Sequence, residues 1–464
     1  MGRTEPLLSN QEHKRSPMRS PLRSPAMPAH SGPYTVSPLF TRMEPLVLPE
    51  SKLLATPERE LSSNLQTGFN ILNNYVGIVL LSMSYCCKLA GWLNILLLGA
   101  LTAFGAYTGS LIVRSYVVIE AEGNTIPSYA GIGERCLGAF GKWLVLGSSI
   151  LETYIAILCM NIIIWNNAAL LFPQLSLGWV MVGCIAISFP ANWLKDFTML
   201  SFLSFFGIFF ILLICVVVGY NVATISANHK PPELELANFW GVPMAASIMM
   251  AGLTGHVGLP PMYSEMKKPS DFQKTLYSAF FLMFLIYGYV GVCGYLLYGS
   301  GASVLITTDM SAVVHNLGGR ILVNIVLAGI TFKLFCSVPM CVLVLVDIAQ
   351  NLYLDKYEVE LSDSGAMRVR LSIWATAAVA SILVYSSLQY VTALIGINSL
   401  LISVLLPILF YVQLHYKQMG LSEKCWFAFI TCLSIVIMIV VTCIDVQEFV
   451  ESLTAASGDE ALPA

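Results

Sequence analysis

Gly68-Phe69-Asn70-Ile71-Leu72-Asn73-Asn74-Tyr75-Val76-Gly77 and Gly252-Leu253-Thr254-Gly255-His256-Val257-Gly258-Leu259-Pro260-Pro261 are the two stretches on which the fold turns. Each interrupts an apolar run long enough to cross a bilayer. The first carries three amides and two glycines, the second three glycines, a histidine and two prolines. Inside hydrocarbon, backbone N–H and C=O groups must be hydrogen-bonded internally. Helix-weakening residues are tolerated there only where protein or a cavity takes up the freed groups. A single such segment is explained by close packing or a kink. Two of them, five segments apart, fit a pair of inverted repeats, each opening with a broken helix.

The rest of the chain agrees with a membrane setting. It has 464 residues, 56% hydrophobic and 11% charged, with mean hydropathy +0.74, where soluble domains run near a quarter charged. Runs of span length fall at 64–86, 91–118, 142–172, 177–191, 198–222, 241–264, 272–298, 320–345, 370–388, 391–415 and 424–446. The sequence therefore predicts an all-α membrane protein of about eleven transmembrane helices, five plus five and one more. Residues 1–60 are rich in Pro, Ser and Arg and predict a disordered tail, 61–446 the membrane domain, and 447–464 a short acidic tail. The tail's Ser-Pro pairs (Ser16, Ser20, Ser24, Ser37) are candidate kinase sites, and no apolar stretch resembling a cleavable signal precedes residue 60.

Loop charge sets the orientation. With eleven spans, twenty of the 24 Lys and Arg fall on one side, Lys88, Lys230 and Arg320 on the other, and Lys333 inside a span. The basic side is cytosolic by the positive-inside rule, so the N-terminus is expected in the cytosol and the C-terminus in the lumen or outside the cell. Nothing suggests nucleic-acid binding. The twelve cysteines lie mostly in apolar runs without metal-ligand spacing, and no cofactor is called for. No Walker A, HExxH or GxSxG motif is present, so the chain does not read as an enzyme, and an ion gradient is the expected energy source.

Unwound segments at mid-membrane expose main-chain groups that suit a zwitterion. The candidate substrate-binding residues are Asn70, Asn73 and Gly77 in the first break and Thr254, Gly255 and His256 in the sixth segment. Intramembrane ionisable residues are costly and default to function, which makes His256, Lys333 and Glu152 the ion-coupling candidates. His256 is suited to handling protons, or donates a fixed hydrogen bond to an unwound carbonyl. Lys333 replaces a bound cation or pairs with Glu152, and Glu152 alternatively reaches the membrane interface.

These motifs resemble the amino acid/auxin permease family, above all its vacuolar amino acid and vesicular inhibitory amino acid transporter branch, from about residue 62 to 446. The resemblance rests on Phe69-Asn70, Asn73 and Gly77; on Tyr129-x-x-Ile132-Gly133; and on Trp193-Leu194-Lys195-Asp196. Gly255-His256-x-x-x-Pro260, Met266-Lys267-Lys268-Pro269, and Leu394-Ile395-Gly396 with Pro407 complete it. It implies a LeuT-type fold and transport of neutral or other amino acids linked to protons rather than sodium. The implied home is a vacuolar or vesicular membrane, with the plasma membrane as an alternative. By the same likeness Asn73, Gly77, Gly255 and His256 line or flank the substrate site. Three positions depart from the pattern. Val79 stands where the family has a second glycine, Ser84 where it has proline, and Lys333 is one residue displaced relative to Pro339, about 100° around a helix. Val79 is expected to crowd a backbone carboxylate site. A non-transporting sensor with the same fold, or a carrier of another small organic acid such as auxin, are the competing functions.

Overall fold

The computed structural model describes residues 61–123, 128–193, 197–225, 233–253, 255–314 and 317–459. The N-terminal Ser-Pro sites and Thr254 lie outside the described residues.

Both expected interruptions are present. Helix α1 (Asn64–Tyr75) begins with a capping box in which Ser63 and Gln66 bond each other's backbone. It stops at Val76, where Gly77 adopts φ −134°, ψ −131°. A 3-10 turn over Ile78–Ser82 restarts the segment, which finishes as α2 (Met83–Ala90). Between them come α3 (Leu93–Ala121), α4 (Tyr129–Leu171), α5 (Leu177–Ser188) and α6 (Phe197–Ile225). The second interruption follows α7 (Val242–Gly252): Gly255 sits at φ +145°, a 3-10 turn spans His256–Gly258, and α8 (Leu259–Ser264) starts. Pro260 lies in the first turn of α8, where a missing N–H costs nothing.

The chain continues through α9 (Phe272–Tyr298), α10 (Ile306–Val313), α11 (Leu317–Tyr357) and α12 (Asp363–Leu383). It then runs through α13 (Leu388–Ser399), a π-helical stretch over Leu400–Leu405, α14 (Leu406–His415) and α15 (Leu421–Asp459). Among the described residues, eight helical stretches are long and apolar enough to cross a membrane. Three shorter apolar helices, Ile78–Ala90, Leu177–Ser188 and Phe209–Thr224, fall within other expected runs.

Packing sorts these helices into two sets. The first and second segments (α1 with α2, and α3) pack with the sixth and seventh (α7 with α8, and α9). The third and fourth (α4, α5) pack with the eighth and ninth (α11, α12). Each set thus joins a segment to the one five later, as inverted repeats require. Among the elements that bridge the sets, α6 packs on both α9 and α11, α13 on both α7 and α4, and α14 on both α3 and α4. Gly396 makes the second bridge possible, since a Cβ there would run into the Ser247 carbonyl.

Several boundaries differ from the sequence expectation. Helix α4 starts at Tyr129, thirteen residues before the expected run, and bends where Gly138 takes φ 63°. The amphipathic first part therefore precedes the span. Helix α11 overruns its expected end, and Lys142 Nζ, 3.0 Å from Asp355 Oδ2, ties that overrun to α4. The stretch from 447 expected as a tail continues α15 to Asp459, with Gln447 bonded to Glu451 one turn on. Helix α10 was not expected; the Asp309 carboxylate accepts from Ser303 N at 2.9 Å and anchors its start.

The exterior is apolar. Val182, Phe209, Val216, Phe281, Phe332, Val379, Val436 and Ile439 are all exposed, the pattern lipid demands rather than water. Exposed aromatics flank this belt: Phe140 and Trp143 on the expected cytosolic side, Trp179, Phe239 and Trp240 on the other.

Candidate functional site

The site is built where the two breaks meet. On α1, Thr67, Ile71, Leu72 and Tyr75 are buried, and the opposite face presents Gln66, Phe69, Asn70 and Asn74. Asn73 is half-buried, and Gly77 is exposed with open space where a Cβ would stand. A stripe of amides cannot face hydrocarbon without cost, and at its end Gly77 is exposed too.

Each break frees main-chain carbonyls, and side chains from other helices take them up. Tyr287 of α9 donates its hydroxyl to Tyr75 O at 3.0 Å. Lys333 of α11 donates its ammonium to Val76 O at 3.3 Å. Asn74 crosses to the other break and donates to Gly255 O at 3.1 Å, which also receives the Gly258 N–H at 3.0 Å. The two interrupted segments are thereby locked to each other and to the eighth segment. The N–H groups that open the 3-10 turn after Gly77 have no acceptor within that turn, which leaves donors beside the open space.

His256 sits behind this junction, fully buried. Its Nδ1 is 3.2 Å from the Tyr75 hydroxyl, and its Nε2 lies 3.0 Å from Gly105 O and 3.1 Å from Thr108 Oγ1. A carbonyl can only accept, so Nε2 carries the hydrogen and Nδ1 accepts from Tyr75. Both nitrogens of a neutral ring are satisfied, with Phe280 and Tyr75 packed edge-on against it. One carbonyl it serves, Gly105 O, belongs to α3, and the Leu253 backbone at the end of α7 lies within hydrogen-bond reach as well. Thr108 supports the arrangement by also donating to Gly105 O.

Lys333 thus reaches the carbonyl end of the first break. Glu152 is half-buried and lies within electrostatic reach of Tyr75 and Tyr129. Tyr129 in turn donates to Ile402 O at 2.8 Å in the π-helical stretch.

Val79 corrects an expectation. Its side chain is buried and points at Gly252, whose missing Cβ would come within 2.9 Å of Val79 Cβ. It fills the contact with the end of α7 instead of crowding the space beside Gly77. Val79→Gly is therefore expected to remove packing worth about 2 kcal/mol, lowering the thermal unfolding temperature without raising flux; enhanced uptake would restore the crowding argument. Ser84 is likewise accommodated, against Gly294 with its hydroxyl on Val290 O at 3.3 Å.

Asn74, Tyr75, Thr108 and Tyr287 were not among the candidates. Asn74 had a signal, since Asn70, Asn74 and Gly77 follow the i, i+4, i+7 spacing of one helix face. Tyr287 and Thr108 had none: a tyrosine or threonine in an apolar span is commonplace.

Comparison with known proteins follows the same line. The structure superposes on a manganese transporter of Eremococcus coleocola with TM-score 0.53 at 11% identity, over 86% of this chain and 88% of that one. It superposes on MhsT in complex with L-phenylalanine with TM-score 0.52 at 12% identity, over 84% of this chain and all of that one. These likenesses establish the LeuT-type fold. In sequence the chain is 27% identical to amino acid transporter AVT1I of Arabidopsis thaliana over 84% of this chain and 96% of that protein. It is 30% identical to AVT1E of the same plant over 55% of this chain and about half (50%) of AVT1E's length. A vesicular GABA transporter of Caenorhabditis elegans is 23% identical over 78% of this chain and 75% of its own length. The chain is a multi-pass integral membrane protein, and residues 60–446 match the family described as transmembrane amino acid transporter protein, to which it belongs.

Proposed function

We propose that the protein is a secondary active transporter that moves amino acids, neutral ones foremost, across a vacuolar or vesicular membrane, driven by protons. Eleven spans with the N-terminus cytosolic and the C-terminus lumenal complete the reading, as the positive-inside count favours. The observation that carries it is the meeting of two interrupted segments, their freed carbonyls held by Tyr287, Lys333 and Asn74, beside the open space at Gly77. Main-chain donors there suit a carboxylate, and the amide stripe of Asn70, Asn73 and Asn74 suits a polar guest on its way in. Lys333 takes the position of a permanently tethered cation at the first break, which argues against a sodium ion in the same place. The names of AVT1I and the vesicular GABA transporter support amino acids as the substrate class and an intracellular membrane as the location.

The test is an amino acid panel with the full chain in sealed proteoliposomes of controlled internal pH. Uptake that grows with an imposed pH gradient supports the reading. Ligand binding with no flux favours a sensor, and competition by an unrelated organic acid favours a different carrier. In the same assay His256→Ala is expected to lower gradient-driven uptake and substrate exchange together, by roughly tenfold, because it removes a brace worth on the order of 1–2 kcal/mol between α3 and the two breaks. Loss of the gradient-driven component alone would assign the coupling proton to His256.

A further inference from the structure

Helix α15 is the segment outside the five-plus-five repeat, and most of it faces lipid: Val436, Ile437, Ile439, Val440 and Val446 are exposed. Asp445 lies on its packed side, only 5% exposed, and is the charged residue there. Its Oδ2 is 2.7 Å from Ser247 Oγ of α7, the half-helix that leads into the second break. Its Oδ1 is buried with no hydrogen-bond partner.

Among the described residues, no cation lies near enough to neutralise an ionised carboxylate here. Helix α7 has no ionisable side chain, and α13 offers only Tyr390, whose ring packs on Phe449. The π-helical stretch has none. Helix α14 contributes Tyr411 and His415, stacked on each other near its far end. On α15 itself the neighbours are Cys443, Glu448 and Glu451, with Glu448 within electrostatic reach of Asp445 and of Tyr85 on α2. A carboxylate with one donor, no cation and an acidic neighbour is costly at this depth. A carboxylic acid is not, since its hydroxyl can bond Ser247 Oγ at the observed distance.

We propose that Asp445 is an intramembrane proton-binding site that couples protons to the movement of α7. This rests on the transport reading above. In the packed arrangement the acid is neutral. Drawing α7 away from α15 admits water to the carboxyl and releases the proton. Glu448 and Glu451, three and six residues on, step around α15 by about 60° each, from buried Asp445 through half-buried Glu448 to exposed Glu451 towards the lumenal end, forming the steps by which a proton arrives. The eleventh helix thereby contributes a coupling element separate from the substrate site.

The experiment uses the purified full chain. Infrared spectroscopy near neutral pH is expected to show the C=O stretch of a protonated carboxyl that is missing in Asp445→Asn, retained in Glu451→Gln and shifted in Ser247→Ala. In proteoliposomes a gradient of about one pH unit lets a one-proton carrier concentrate substrate about tenfold; Asp445→Asn, which keeps the shape and the Ser247 contact, is expected to lose that concentration. Absence of the band in the unmodified protein, its persistence in Asp445→Asn, or full gradient-driven accumulation by that variant each overturns the proposal. A band that behaves as expected in a protein showing no amino acid flux at all would establish the proton site and remove the transport reading instead.

Discussion

Lys333→Met is expected to lower amino acid flux by roughly 10- to 100-fold while leaving a folded, membrane-inserted protein. The substitution keeps most of the apolar stem, which crosses α11's packing surface, and deletes the ammonium that donates to Val76 O at 3.3 Å. That carbonyl is one of those freed by the interruption after α1. A main-chain acceptor stripped of its donor in a low-dielectric interior costs about 1–3 kcal/mol, which corresponds to about 5- to 150-fold in the population of the broken conformation. The segment has an alternative to bearing this cost: it can wind further into a regular helix, which would close the space beside Gly77. Substrate binding and flux should therefore fall together, measured by equilibrium binding and by proteoliposome uptake on the same preparation. Lys333→Arg should not restore function, because the wider, planar guanidinium does not fit a contact made by a point charge on a flexible stem. Normal uptake by Lys333→Met would show that the Val76 contact is incidental.

How far the sequence disclosed this arrangement depended on the physics behind each feature. The broken segments were legible because glycines, amides and prolines in apolar runs contradict the demand for an unbroken hydrogen-bonded backbone. Their five-segment separation then fixed the repeat. The identity of the residues that satisfy the freed carbonyls was only partly legible. Lys333 announced itself as a charge in a span, but Tyr287 and Thr108 carry no signal, since only three-dimensional placement separates them from other polar residues in membrane helices. His256 was singled out for its titration range, and its surroundings of Tyr75, Thr108 and Gly105 O were not legible, because they come from other segments. Val79 shows the same limit. Its neighbour in sequence, Gly77, faces open space, yet two residues along a 3-10 turn point the valine at Gly252 instead. Asp445 sat at the edge of the last apolar run and read as part of an acidic tail; the burial that gives it meaning comes from α15 packing on α7.

Gly255→Ala and Gly77→Ala should separate folding from binding at the two breaks. Gly255 adopts φ +145°, a region that residues with a Cβ scarcely enter, at a cost on the order of 1–3 kcal/mol. A Cβ at this position would also collide with the Asn74 side-chain amide and crowd the Tyr75 ring. Those are the groups that carry the locks to Gly255 O and His256, so the collision dislodges both, adding a further 1–3 kcal/mol or so of overpacking. Gly255→Ala is accordingly expected to lower the thermal unfolding temperature markedly and to abolish uptake. Gly77 differs in kind. Its φ of −134° lies outside the left-handed region that Gly255 occupies, and a Cβ there meets no atom within 4 Å. Gly77→Ala should fold as the unmodified protein does, with an unchanged unfolding temperature, because the methyl group enters unoccupied space. If that space receives the substrate, the methyl group competes with it, and amino acid affinity should fall by tenfold or so, the equivalent of about 1.4 kcal/mol. A stable Gly77→Ala variant with undiminished binding across the amino acid panel would place the substrate elsewhere in the opening. A stable Gly255→Ala variant would mean that the second break tolerates a different backbone from the one observed. The contrast follows from one structural fact: the glycine of the second break is required by its own backbone, whereas that of the first is required by what must fit beside it.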